Sequence, residues 1–265
     1  MRSSDFMATH PVFSLDEATE ALAPPGGRRG AVQRLKHHLA SGRLALVARG
    51  IYAVVPPGGT AAALRPDPLL VAATARPDAV FAYHSAFELL GVAHSAWSVT
   101  TVFTARRRGR LALRGSAVDF FEDPQALRTS ERRHLGTRRV EHRGRLLVVT
   151  GPERTLVEGL RRPALAGGPE ELLLSAGALP TLDLALLADV LECYGTARLW
   201  AATGWFLERH QSAFAVPDSF LDKLEARRPA TVLYLQRDRR GGTLEPRWNL
   251  VVPESALRLN ATDER

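Results

Sequence analysis

Residues 14–55 read SLDEATEALAPPGGRRGAVQRLKHHLASGRLALVARGIYAVV, and this stretch decides how the chain begins to fold. Ser14 followed three residues later by Glu17 is a capping box: the serine oxygen accepts from the third helical N–H while the glutamate reaches back to the serine amide. A helix therefore starts here, with Leu15, Ala18 and Leu22 as its apolar stripe, and Pro24-Pro25-Gly26-Gly27 stops it. A second helix is expected from about Arg28 to Ser41, with Val32, Leu35 and Leu39 forming one buried face. At about 100° per residue, Gln33, Arg34 and His37 point away from that face. Arg28 and Arg29 sit at its N-terminal end. After Gly42, Arg43–Val47 and Ile51–Val55 flank Ala48-Arg49-Gly50, which reads as a short hairpin with Arg49 at its tip.

A capped helix, a basic helix and a hairpin in immediate succession make the pattern of a winged helix-turn-helix. The plainer alternative is a small helix-hairpin unit inside a larger core. In the first reading the basic helix enters the major groove of double-stranded DNA, with Gln33 and Arg34 as base-reading candidates, since Gln pairs with adenine and Arg with guanine. Arg28, Arg29, Lys36, Arg43 and Arg49 suit phosphates, a role that needs charge and reach but no strict geometry. His37 suits either role.

The charge distribution points the same way. Residues 1–150 carry 21 basic and 12 acidic side chains, against 14 and 16 in residues 151–265. A basic front and a near-neutral rear suit a molecule whose front meets a polyanion.

Residues 56–68, PPGGTAAALRPDP, read as a linker, which predicts a DNA-binding domain over 1–57 and a larger mixed α/β domain over 58–265. The overall class is α/β of the α+β kind. In the rear, helices are expected at Pro68–Ala75, Ser85–Leu90 and, from a second capping signal at Thr150-Gly151-Pro152-Glu153, through Leu160. Strands are expected at Val99–Phe103, Ala117–Phe121 and Leu146–Thr150. Leu182–Leu224 reads as helical, and Thr231–Leu235 with Trp248–Val252 as extended.

Several segments together resemble the AbiEi-like antitoxins of type IV toxin–antitoxin systems. Arg49-Gly50-Ile51-Tyr52 is similar to the family's wing ending, and Ala79–Ala86 with Leu90-Gly91 to its strand and Ser-Ala helix. Thr150–Glu158 is similar to its SPERT-like motif, and Gly204–Glu208 and Trp248–Val252 to its C-terminal signatures. The family usually has a further helix ahead of the one capped at Ser14, for which residues 2–12 offer Phe6, Met7 and Val12. The resemblance implies an antitoxin that represses its own operon and counters a cognate nucleotidyltransferase-fold toxin encoded by a neighbouring gene.

Signatures of catalysis are missing: there is no phosphate loop, nucleophile elbow, HExxH or dinucleotide glycine motif. The expectation is a non-enzyme without cofactor or metal. A nuclease is the rival reading, for which Asp218, Asp222, Glu225 and Asp238 are the available acids; a transcription factor without a toxin is another. Tyr83-His84-Ser85 is read as a helix start, with Ser85 in the capping role, rather than a His–Ser dyad. The run Arg106–Arg110 extends the DNA footprint, grips an acidic partner or is a solvated loop. Cys193 is expected to be a buried small hydrophobe, and Trp200, Trp205, Phe206 and Trp248 core residues. With no secretory or membrane-spanning pattern, a soluble, cytoplasmic protein is expected.

Overall fold

The computed structural model describes residues 2–105, 108–235 and 241–258. From the N-terminus the elements run α1 (Ser3–Thr9), β1 (Val12–Ser14), α2 (Leu15–Leu22), α3 (Gly27–Ala40), β2 (Leu44–Ala48), β3 (Ile51–Val54) and α4 (Pro68–Ala75). Then follow β4 (Val80–Phe81), α5 (His84–Leu89), β5 (Val99–Thr104), β6 (Gly109–Leu113), β7 (Ser116–Glu122), α6 (Gln125–Thr129), β8 (Thr137–His142) and β9 (Arg145–Thr150). The remainder is α7 (Pro152–Arg161), α8 (Pro169–Gly177), α9 (Leu184–Tyr194), α10 (Ala197–Arg209), α11 (Asp218–Glu225), β10 (Leu233–Tyr234), β11 (Thr243–Glu245), β12 (Leu250–Val252) and α12 (Glu254–Arg258). This is the mixed α/β class expected. Among the described residues no helix is long and apolar enough to cross a membrane. Arg106 and Arg107 of the basic run, and Asp238 within Arg237–Arg240, lie outside the described residues.

Two compact units divide the chain, the first comprising residues up to Ala79, Ser98–Phe121 and Glu141–Leu147. Its opening sheet is antiparallel in the order β1-β3-β2, with Phe13 opposite Tyr52 and Leu44 opposite Val54. Neighbours along a strand face opposite sides. Phe13, Tyr52 and Leu44 turn to one side, where Phe6, Ala18, Leu22 and Leu35 complete a core. Val12, Ile51 and Ala53 belong to a second cluster, in which Leu70 and Val71 of α4 cover them. Fully burying a Leu, Val or Ile contributes roughly 1.5–3 kcal/mol, so the sheet depends on α4 as well as on the helices before it. The unit therefore continues past residue 57, where the Pro/Gly-rich segment suggests a boundary.

Local chemistry explains these elements. At α2 the expected cap forms in both directions: Glu17 N donates to Ser14 Oγ at 3.1 Å and Ser14 N to Glu17 Oε2 at 2.6 Å. A cap of this kind is worth about 1 kcal/mol. On α3 the fully buried residues are Ala31 and Leu35, while Val32 and Leu39, expected on that face, are half-buried. Gly30 allows α3 to lie close to Pro25, because a Cβ there would stand 2.1 Å from the Pro25 carbonyl oxygen. The further helix for which Phe6, Met7 and Val12 were on offer is α1, which holds Phe6 and Met7, whereas Val12 belongs to β1, which sequence reading missed. Phe6, 1% exposed, packs edge-on against Phe13 with ring centroids 4.8 Å apart, and Phe13 stacks with Tyr52 at 5.8 Å.

The second unit holds Val80–Trp97, Glu122–Val140 and the chain from Val148 onward. Here β4 runs parallel to β9, Val80 opposite Val148. The expected side-chain cap at Thr150 does not form: Gly151 occupies the N-cap, the Thr150 hydroxyl pairs with Thr155 at 2.7 Å, and Glu153 accepts from Asp183 N at 2.8 Å. The Thr150 hydroxyl thus meets a side chain of α7 and not the amides of its first turn. Tyr83, with φ +56°, opens α5 where Ser85 was expected; Ser85 is buried inside the first turn. Missed in the sequence, α8 packs on α7 at Gly159, where a Cβ would stand 2.4 Å from Leu172 Cδ1. Trp200, Trp205, Phe206 and Trp248 are core residues, none more than 3% exposed. Cys193 is half-buried, short of the full burial expected.

Candidate nucleic-acid interface

In the first unit, Gln33, Arg34, Lys36 and His37 are exposed on the side of α3 away from Ala31 and Leu35. Arg29 is exposed in the first turn of α3, and Arg43 in the link to β2. Arg49 stands with Gly50, φ +73°, in the turn joining β2 and β3, as the hairpin reading required. Among the described residues, Arg29, Arg34, Lys36, Arg43 and Arg49 engage no carboxylate. Arg28 differs, because its guanidinium pairs with Asp16 in the first turn of α2. With side chains 61% and 77% exposed, that pair is weak and screened, and Arg28 keeps much of its outward charge.

Behind the exposed face, His38 is held below its ordinary pKa, first by burial and then by the charges of His37 and Arg43. Its imidazole is therefore neutral near neutral pH. His37 is exposed and His38 half-buried, and their rings lie edge to face, 5.6 Å between centroids.

The charge asymmetry between residues 1–150 and 151–265 is also present between the two units. The first unit carries 16 basic and 8 acidic side chains, the second 19 and 20. Concentrated charge of one sign without protein counter-ions raises the local potential for a polyanion. Arg110 and Arg76 also belong to the first unit. Arg76 escaped sequence reading because a lone arginine ahead of a proline belongs to no pattern.

Comparison with known proteins identifies a fold relative. No family model and no curated protein sequence matches the chain. Among solved structures it is similar to the crystal structure of the RV2827C protein from Mycobacterium tuberculosis, with 20% identity and a TM-score of 0.61, over 98% of this chain and 93% of that one. The likeness is one of fold.

In the second unit the groups that suggest chemistry are engaged structurally. Asp222 and Glu225 of α11 accept from Arg247, at 3.2 and 2.8 Å, and Asp218 accepts from Gln211 Nε2 at 2.7 Å. Among the described residues no three His, Cys, Asp or Glu side chains are grouped to hold a metal ion. His84 is turned to Glu171, Nε2 to Oε1 3.3 Å, and its ring stacks on Trp97.

Arg154 and Glu158 of α7 are fully buried and paired at 2.8 Å, with the Tyr194 hydroxyl donating to the same carboxylate oxygen at 2.5 Å. Arg154 Nη1 donates to the carbonyls of Arg133 and Leu135. Burial opposes the Arg154 charge, but Glu158 outweighs it and holds the guanidinium protonated. Burial and then Glu158 push the Tyr83 phenol up to about 12. Breaking one partner of such a buried set leaves an uncompensated charge. The cluster thus specifies the packing of α7, and it is closed to solvent.

Proposed function

We propose that the chain is a DNA-binding transcriptional regulator whose reading head is a winged helix-turn-helix formed by α1 to β3, and that it serves as the antitoxin of a type IV toxin–antitoxin pair. One conjunction carries the first half: the element order α1-β1-α2-α3-β2-β3 with sheet order β1-β3-β2, and basic side chains without carboxylate partners on α3 and the hairpin turn. In this geometry α3 is the recognition helix and the β2–β3 hairpin the wing. Arg34 and Gln33 read base edges, Arg28, Arg29, Lys36, Arg43 and Arg49 hold phosphates, and His37 serves either role. The DNA is the protein's own operator.

The antitoxin half rests on the resemblance to the AbiEi-like family. Its support is that two of the segments carrying the resemblance, Gly204–Glu208 and Trp248–Val252, pack together in the second unit. Trp248 packs where Gly204 leaves room, and Glu208 accepts from Trp248 Nε1 at 2.6 Å. The partner is a toxin encoded beside it, and the regulator needs neither catalysis nor a cofactor.

Titration of a fluorescent duplex from the upstream region with the full chain tests the first half, which fails if no duplex binds at low salt. Growth rescue of cells expressing the neighbouring toxin tests the second, which fails if growth stays arrested.

A further inference from the structure

A cleft of about 500 Å³ opens beside the hairpin turn of the first unit, and four arginines line it: Arg28 from α3, Arg49 from the turn, Arg76 after α4, and Arg110 from β6. Asp16 is the one acid on its wall among the described residues, and it is already paired with Arg28. Arg76 lies over Phe120, its guanidinium carbon 5.1 Å from the ring centroid, and donates through Nη1 to the Ala75 carbonyl at 3.0 Å. Its Nε has no hydrogen-bond partner among the described residues. Arg110 is 61% exposed and only loosely paired, 3.4 Å from Asp119. The cleft therefore has more donors than its own walls can use, and it begins at two residues of the DNA-reading face.

We propose that this cleft holds the phosphodiester backbone of the duplex beyond the site read by α3, with Arg76 and Arg110 each contacting a phosphate. The inference rests on the DNA-binding reading above and extends it, since both arginines lie outside the winged helix. An arginine guanidinium suits phosphate oxygens, and the contact with Phe120 positions that of Arg76 in the cleft wall. The DNA footprint is then longer than the winged helix alone would give.

The test uses the full chain, wild type and the variants Arg76→Gln, Arg110→Gln and the double variant, with one duplex carrying long flanks and one trimmed to the central site. Each phosphate contact adds about 0.9 to the slope of log affinity against log salt. The double variant is expected to lose about 1.8 of slope on the long duplex and nothing on the trimmed one. Wild type is expected to lose the same amount on trimming. Unchanged slopes in the variants, or equal losses on both duplexes, overturn this proposal while leaving the winged-helix reading intact. Failure of the wild-type chain to bind either duplex overturns both. Because glutamine removes the charge and also shortens the side chain, folding is checked by circular dichroism, and Arg76→Lys serves as the control that keeps charge and recovers part of the slope; no recovery from a folded Arg76→Lys counts against the contact.

Discussion

Arg145 Nη2 donates to Glu17 Oε1 at 2.5 Å, and Glu17 is the same carboxylate that closes the capping box on Ser14. The second arm of Arg145 donates to Thr74 of α4 at 2.7 Å. One side chain at the start of β9 thus ties α2 to α4 inside the first unit.

The first 57 residues should therefore not fold as a self-sufficient piece. Arg145→Ala should remove about 1 kcal/mol, the scale of a partly exposed ion pair with an added hydrogen bond. The check is hydrogen exchange at the α2 amides, which should accelerate about fivefold. A fragment of residues 1–57 should lack the cooperative unfolding transition of the full chain, because Val12, Ile51 and Ala53 would lose their cover of Leu70 and Val71. A folded, cooperative fragment would contradict this.

What could be read in advance follows from the range of the interactions. The Ser14 box, α2, α3, the hairpin turn and α4 are set by contacts within a few residues, and the sequence shows them. Strand β1 is invisible there, because Val12–Ser14 becomes a strand only by pairing with Ile51–Ala53. The boundary at residue 57 misleads for the same reason: a Pro/Gly-rich segment looks like a linker, yet Leu70 and Val71 beyond it complete the earlier core. Of the candidate interface, the exposed face of α3 and Arg49 are legible from helical and hairpin spacing. Arg76 is not, since its place in the cleft is created by β6 and β7.

Base reading and phosphate holding should separate by mutation. Arg34→Ala should cost roughly 1–3 kcal/mol and relax preference at one base position, whereas Arg49→Ala should weaken all duplexes alike. Binding measured against a set of single-base operator variants checks both. In the full chain, the double variant Arg34→Ala, Arg49→Ala should lose repression and still neutralise the toxin. Loss of rescue by a folded double variant would make neutralisation depend on DNA.

Gly204 should tolerate no side chain. A Cβ there would stand 2.1 Å from Trp248 Cζ3, and Trp248 is fully buried. Gly204→Ala is expected to cost about 1–3 kcal/mol or more by overpacking. All four tryptophans, Trp97, Trp200, Trp205 and Trp248, belong to the second unit, so tryptophan fluorescence in urea reports this loss. DNA affinity should be unchanged.

Acid should weaken the second unit through Glu171. Burial raises its pKa, but hydrogen bonds from Ser95 and Ser175 and the nearby His84 outweigh burial and hold it below its ordinary 4.5. A carboxylate lowered on folding stabilises the native state above its unfolded value and loses that contribution as pH falls through the folded one. Between about pH 5 and pH 3 the urea midpoint of wild type should therefore fall more steeply than that of Glu171→Gln. Parallel curves would remove Glu171 as the cause.

The central claim, that the first unit binds duplex DNA through α3 and the hairpin turn, is tested most directly by the salt dependence of operator affinity in the full chain. The account predicts a straight fall of log affinity with log salt, steep enough for several phosphate contacts, and a slope reduced by about 0.9 in Arg49→Ala. Affinity that ignores salt, or a slope identical in wild type and Arg49→Ala, would contradict it.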